Sequence, residues 1–324
     1  MRISLALQGG GSHGAFTWGV LDRLLEDERI AIEGISGASA GALNAALLAY
    51  GLATGGREGA RRALADFWNR VGRSAGGPLA ESLVYLARFL SPSQFNPLNL
   101  NPLRDILAEQ IDFARLRSTS ELPLFLSATN VRTGMARIFR RHEISADVLL
   151  ASACLPFLHR TVEIDGEAYW DGGLSANPPV RVLLYECEAR DIVLVLLQPG
   201  RRPELPVSAD GIWSRFTELS FSSALHSELE GIGLAKREAE RWPISIGRLE
   251  RRLRRLKLHR ICAPDAMGGM SAQSRLNTHG PFLAALYEAG RSEADAWLRQ
   301  PVSAVTAGRG ADIGALRAAP RLEG

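Results

Sequence analysis

The chain has 324 residues, 46% hydrophobic and 23% charged, which is enough to bury a large α/β core. Its 38 Lys and Arg against 35 Asp and Glu leave a net charge of +3, too small for the concentrated basic face of a dedicated nucleic-acid binder. No apolar run approaches the roughly 20 residues of a membrane span, the N-terminus has no secretory pattern, and Cys154, Cys187 and Cys262 are too scattered for a disulfide framework or a metal site, so a cytoplasmic protein is expected.

In chain order, Ile3, Leu5 and Leu7 alternate into a run of glycines, the pattern of a strand ending in a loop. Helical spacing follows over Ala15 to Asp27, with Phe16, Val20, Leu21, Leu24 and Leu25 on one side. A second strand, Ile30 to Ile35, ends at Ser36-Gly37-Ala38-Ser39-Ala40-Gly41, and Ala42 to Ala49 reads as a helix. This β-loop-α-β-turn-α order predicts a mostly parallel sheet. Leu83 to Leu90 is an apolar helix candidate between loop-rich stretches at Gly72 to Gly77 and Ser91 to Pro102. Pro123 to Thr129 and Met135 to Arg140 look like paired strands, Glu167 to Trp170 a short one, and Ile192 to Leu197 a buried parallel one. Ile212 to Trp242 is mainly helical, Leu256 to Ala263 suits a late strand, and the Ala-, Gly-, Arg- and Pro-rich tail after Pro301 is expected to be loosely ordered.

Three segments carry chemistry. Gly37-Ala38-Ser39-Ala40-Gly41 fits G-x-S-x-G, placing Ser39 on a sharp strand-to-helix turn with small neighbours that let the backbone fold tightly. Gly9-Gly10-Gly11-Ser12-His13-Gly14 allows two readings. It matches G-x-G-x-x-G with Glu33 placed as a ribose-binding acid, which is a dinucleotide site. It also suits an oxyanion hole, because consecutive glycines free backbone N–H groups to converge on developing charge. Asp171, in Trp170-Asp171-Gly172-Gly173 at the end of a strand, is the candidate proton acceptor for an activated serine. His226, His259 and His279 follow it in the order of a Ser-Asp-His triad, though none lies in a recognisable loop motif.

Together these elements resemble the patatin-like phospholipase family, and Ala151-Ser152-Ala153-Cys154-Leu155-Pro156-Phe157 is similar to that family's segment ahead of its aspartate. The resemblance covers about residues 3 to 200. It implies a three-layer α/β/α sandwich with a mostly parallel central sheet; with the helical pattern and tail composition above, the expectation is a single catalytic domain over 1–300, helical from 201 to 300, and a flexible 301–324. It further implies Ser39 as nucleophile and Asp171 as base, with an oxyanion hole at Gly9, Gly10, Gly11 and Gly14. The elbow is then Gly37, Ala38, Ala40 and Gly41, and the Asp-Gly-Gly motif is completed by Gly172 and Gly173. No metal or cofactor is implied. His13 stands where family members usually carry Lys or Arg, which leaves its charge open.

The expected substrate is a lipid ester; another acyl donor, such as a storage polyester or thioester, would use the same chemistry. Arg248 to Arg260 is a basic stretch interleaved with Leu249, Leu253 and Leu256. It reads either as a docking surface for anionic lipid or as a solvated helix packing its leucines on the sheet. Leu83 to Leu90 reads either as a lid or as a core helix.

Overall fold

Apolar residues alternate along the strands so that both faces of one sheet are buried. The computed structural model describes residues 1–73, 92–96, 98, 101–198, 205–241, 247–264 and 272–299. Among them are eight strands: β1 (Arg2–Leu7), β2 (Ala31–Ala38), β3 (Leu124–Asn130), β4 (Ala136–Arg140), β5 (Val162–Ile164), β6 (Glu167–Asp171), β7 (Asp191–Leu196) and β8 (Lys257–Cys262). The centre is parallel, with β3, β2, β1, β7 and β8 side by side. Antiparallel β4 borders β3, and the β5–β6 hairpin is joined to the sheet through β3.

Among the described residues the helices longer than one turn are α1 (Gly14–Glu26), α2 (Ala40–Arg73), α3 (Pro102–Gln110), α4 (Phe113–Thr119), α5 (Ala146–Ser152), α6 (Arg181–Glu186), α7 (Ala209–Arg241), α8 (Arg248–Arg255) and α9 (Gly280–Arg299). On one face Ile3, Leu5, Leu7, Val193 and Val195 pack with α1, α2 and α9. On the other, Ala6, Ile192 and Leu194 pack with α6, α7 and α8. The period-2 alternation of β1 and β7 thus builds the three layers directly.

The differences from expectation have local causes. β2 runs on through Ser36, Gly37 and Ala38, because pairing with β3 holds these small residues extended. The helix after Ser39 continues far beyond Ala49, broken only at Gly55 and Gly56, where φ is 61° at the second. The C-terminal portion is not purely helical, since β8 completes the sheet beside β7. The basic stretch is the helix α8 leading into β8, with Leu253 and Leu256 packed inward and Leu249 exposed, so the solvated-helix reading holds for two of the three leucines. Leu83 to Leu90 and the tail after Pro301 lie outside the described residues.

α9 is tied to α1 by backbone contact at Gly19 and Gly290 and by a charge network centred on buried Asp22. Asp22 accepts from Arg61 Nε at 2.8 Å and Tyr287 Oη at 2.9 Å, and pairs with Arg291. Replacing Asp22 by Ala removes the buried centre of this network, leaving Arg61 and Arg291 with Glu26 and taking the acceptor from Tyr287 Oη. The expected loss is about 3 kcal/mol, read as a lower urea midpoint, and an unchanged midpoint would show that α9 is held by packing alone.

Candidate active site

The position of Ser39 beside Asp171 follows from β3. Ser36, Gly37 and Ala38 of β2 pair in parallel with Phe125, Leu126 and Ser127. On the opposite edge of β3, Phe125 to Thr129 pair with β4. β6 therefore joins the same edge as β2, one rung further on, with Asp171 opposite Ala128, Trp170 opposite Thr129 and Tyr169 opposite Asn130. The two strands run toward each other along this edge and meet end to end. Ala38 and Asp171 are their facing last residues, and Ser39 leaves the ladder at the junction.

At Ser39 the chain turns into α2 with φ 53°, the left-handed conformation of a nucleophile elbow. Its carbonyl accepts from Ala42 and Leu43 N–H at 2.9 and 3.1 Å, starting the helix. Its own N–H is held by buried Ser152 Oγ at 2.9 Å. The helix N-terminus places partial positive charge beside the hydroxyl.

Asp171 is wholly buried. Its N–H donates to the Cys154 carbonyl at 2.8 Å, its carbonyl accepts from Thr129 Oγ1 at 2.7 Å, and its Oδ1 accepts from Gly173 N–H at 2.7 Å. Burial pushes the carboxyl up from its ordinary value to about 7, against an opposing pull from the Ser39 hydroxyl and the Gly173 N–H. Ser39 is close enough to exert that pull, yet Oδ2 has no partner at full hydrogen-bonding geometry among the described residues. The contact is loose, and one carboxylate oxygen is left with spare capacity. Cys154 is no rival nucleophile, because burial and the Asp171 charge push its thiol up to about 12.

The glycine loop lies directly over the elbow. A Cβ on Gly9 would come within 2.6 Å of Ser39 Cβ, and Gly11 has φ +60° and packs on the Arg275 backbone, so neither position has room for a side chain. The four expected oxyanion glycines do not contribute equally. Gly9 N–H is already given to Asn177 Oδ1 at 2.7 Å, and Gly14 N–H caps the turn before α1 through the Gly11 and Ser12 carbonyls. These two are corrected from donors to close-packing residues. The N–H groups of Gly10 and Gly11 have no acceptor among the described residues, and neither does that of Ala40 in the first turn of α2.

Several supporting residues gave no sequence signal. Asn177, buried beside Pro178, reaches from Gly9 to the Phe221 carbonyl on α7. Ser127 donates to the Ala176 carbonyl at 2.8 Å. Ser152 lies within the segment noted for its family resemblance, but its partner could not be read there.

His13 is buried against Ser274 Oγ at 2.9 Å, and burial followed by the Arg275 charge lowers it to about 4, so the ring is neutral near pH 7. His259 Nε2 donates to Asp191 Oδ1 at 2.8 Å at the far end of β7, while His226 and His279 are exposed. None of the three bonds to Asp171. Glu33, the acid required by the dinucleotide reading, sits near the start of β2 and pairs with Arg2 at 3.2 Å, remote from the glycine loop. Cavities of about 550 and 190 Å³ open at the N-terminal end of the strands, and neither is lined by Ser39, Asp171 or the glycine loop.

A family model described as patatin-like phospholipase matches residues 5–184. Nothing among the curated proteins matches. Of eleven similar chains of solved structure, VipD from Legionella pneumophila is 16% identical at a TM-score of 0.42; the match covers 90% of this chain and 66% of VipD.

Two outcomes follow from the geometry. An Asp raised above its unfolded value near 4 favours folding most when protonated, and that advantage is lost as pH rises toward 7. Asp171→Asn removes the buried charge, so it should stabilise the fold at pH 8 by on the order of a few kcal/mol and far less at pH 5. Equal effects at the two pH values in urea titrations would contradict this. Ser152→Ala leaves the Ser39 N–H buried and unmet; a loss of about 1–3 kcal/mol is expected, with kcat lowered more than KM is raised.

Proposed function

This chain belongs to the patatin-like phospholipase family, and we propose that it is a carboxylic ester hydrolase that cleaves lipid esters through Ser39 and Asp171. The single observation that carries this reading is the head-on meeting of β2 and β6 on one edge of β3, with a buried, under-occupied carboxylate oxygen beside a serine on a strained turn.

Ser39 Oγ attacks the ester carbonyl carbon while its proton passes to Asp171 Oδ2. The carbonyl oxygen takes up the displaced electron pair and is held by the N–H groups of Gly10, Gly11 and Ala40, which need no reorganisation to receive it. Collapse of the tetrahedral adduct breaks the bond to the alcohol, which leaves with the proton from Asp171. Water then gives a proton to Asp171 and attacks the acyl-enzyme; Ser39 recovers its proton as the carboxylic acid departs. A carboxyl group poised near 7 can both take and return that proton. No imidazole is required, which agrees with a neutral His13 and with histidines that make no contact to Asp171.

Labelling with a fluorophosphonate tests the nucleophile. Labelling of the parent chain and none of Ser39→Ala is the expected result, and equal labelling of both would sink the assignment. Asp171→Asn should lower kcat roughly 10³-fold or more. In the parent, kcat/KM should rise with pH along a limb centred near 7, as Asp171 loses its proton, and level off above it. A limb near 4 would instead point to a solvated carboxylate. Turnover of defined phospholipids against p-nitrophenyl, polyester and thioester substrates distinguishes the acyl donors.

A further inference from the structure

The end of the sheet that carries Ser39 also bears an apolar patch that the proposed chemistry does not use. Phe157, Ile212, Trp213, Phe216 and Leu219 are 60, 54, 43, 59 and 47% exposed. The Trp213 ring lies 6.1 Å from that of Phe157 and 5.7 Å from that of Phe216, centroid to centroid, so rings from two chain segments form one surface. Ile212, Phe216 and Leu219 follow helical i, i+4, i+7 spacing on the outside of α7, whose Leu225, Leu229 and Ile232 are buried. Single exposed apolar residues are ordinary, whereas a contiguous aromatic patch calls for a partner.

Both segments are anchored at the proposed base. Phe157 lies three residues after Cys154, whose carbonyl takes the Asp171 N–H. On α7, Phe221 packs against Gly173, and its carbonyl accepts from Asn177. The basic surface lies elsewhere. Arg190 and the arginines of α8 line a cavity at the N-terminal ends of β7 and β8. A six-residue strand, β7, separates that surface from the catalytic end, a span of about 20 Å. The arginines and Ser39 therefore do not face one plane.

We propose that the Phe157–Trp213–Phe216 patch docks the protein onto the surface of a lipid bilayer, holding the approach to Ser39 and Asp171 against it. This rests on the lipid-ester reading. Long-chain esters reside in aggregates, and drawing their methylenes into water is penalised, so a site that serves them works at the aggregate surface. Trp and Phe suit that boundary, since an indole buries its rings while its N–H reaches the polar layer. Arg215 beside the patch is paired with Glu218 at 3.2 Å on the same helix, so attachment comes from apolar burial and is insensitive to salt.

The test uses the full chain carrying Ser39→Ala, which binds without turning lipid over, sedimented with phosphatidylcholine vesicles at about 0.15 and 1 M salt. Binding should be the same at both. Adding Trp213→Ser with Phe216→Ser should weaken it on the order of tenfold or more, with the thermal midpoint confirming that the exposed substitutions leave the fold intact. Trp213→Phe should keep binding but lose the part of fluorescence quenching by brominated lipid that comes from Trp213. Binding unaffected by the double substitution would overturn the proposal. So would binding confined to anionic vesicles and abolished by salt, which would favour the α8 arginines. A dimer that the double substitution dissolves, without vesicle binding, would assign the patch to a second copy. Fluorophosphonate labelling of the parent separates the two readings: a labelled protein that ignores vesicles loses only the docking surface, and an unlabelled one that binds them loses only the dyad.

Discussion

The edge of β3 that receives β2 along Leu124 to Ser127 and β6 along Ala128 to Asn130 is the constraint on which the site depends. Backbone ladders fix strand positions to within a fraction of a residue. Two strands meeting on one ladder therefore place their last residues far more tightly than two free loops could. Ser39 and Asp171 come from distant parts of the chain, yet each is only one step off that ladder.

The same arrangement makes the proposed base costly to keep. A carboxylate with no exposure and one orphan oxygen is destabilised as an anion, and its value near 7 expresses that cost. The surrounding structure offsets it through the backbone, not through a counter-charge. Cys154, Thr129 and Gly173 take the Asp171 N–H, carbonyl and Oδ1, which fixes the group without neutralising it. A guanidinium in place of these ties would have held the residue more firmly and drawn its pKa down, leaving a poor base at neutral pH. Asn177 and Ser152 extend the same scheme to the glycine loop and the elbow, so that rigidity comes from neutral hydrogen bonds throughout.

The molecule is also polarised along its strands. Glycine loop, elbow, Asp171 and the aromatic patch gather at one end of the sheet, while Glu33, the Asp191–His259 pair and the α8 arginines lie toward the other. No described helix is long and apolar enough to cross a membrane. This polarity separates the chain from a dinucleotide fold that would begin with a similar glycine loop. The loop after β2, where an adenosine would lie, is filled by the strained turn at Ser39, and the acid that could bind a ribose is at the wrong end of its strand.

Much of this was legible in the residues themselves. Alternation in β1 and the unbroken apolar run of β7 specify buried strands. The small residues around Ser39 specify a tight elbow, and the motif set as a whole specifies the family, since each of these depends on local spacing. What only the tertiary structure decided depends on which backbone groups meet across the sheet. Gly9 and Gly14 looked equivalent to Gly10 and Gly11 until Asn177 and the turn before α1 consumed their N–H groups. The neutrality of His13 and the alignment of β6 with β2 likewise needed the packed chain, whereas the lack of a loop motif around His226, His259 and His279 already spoke against a triad. Burial and register are properties of the packed chain, and no spacing along a single segment encodes them.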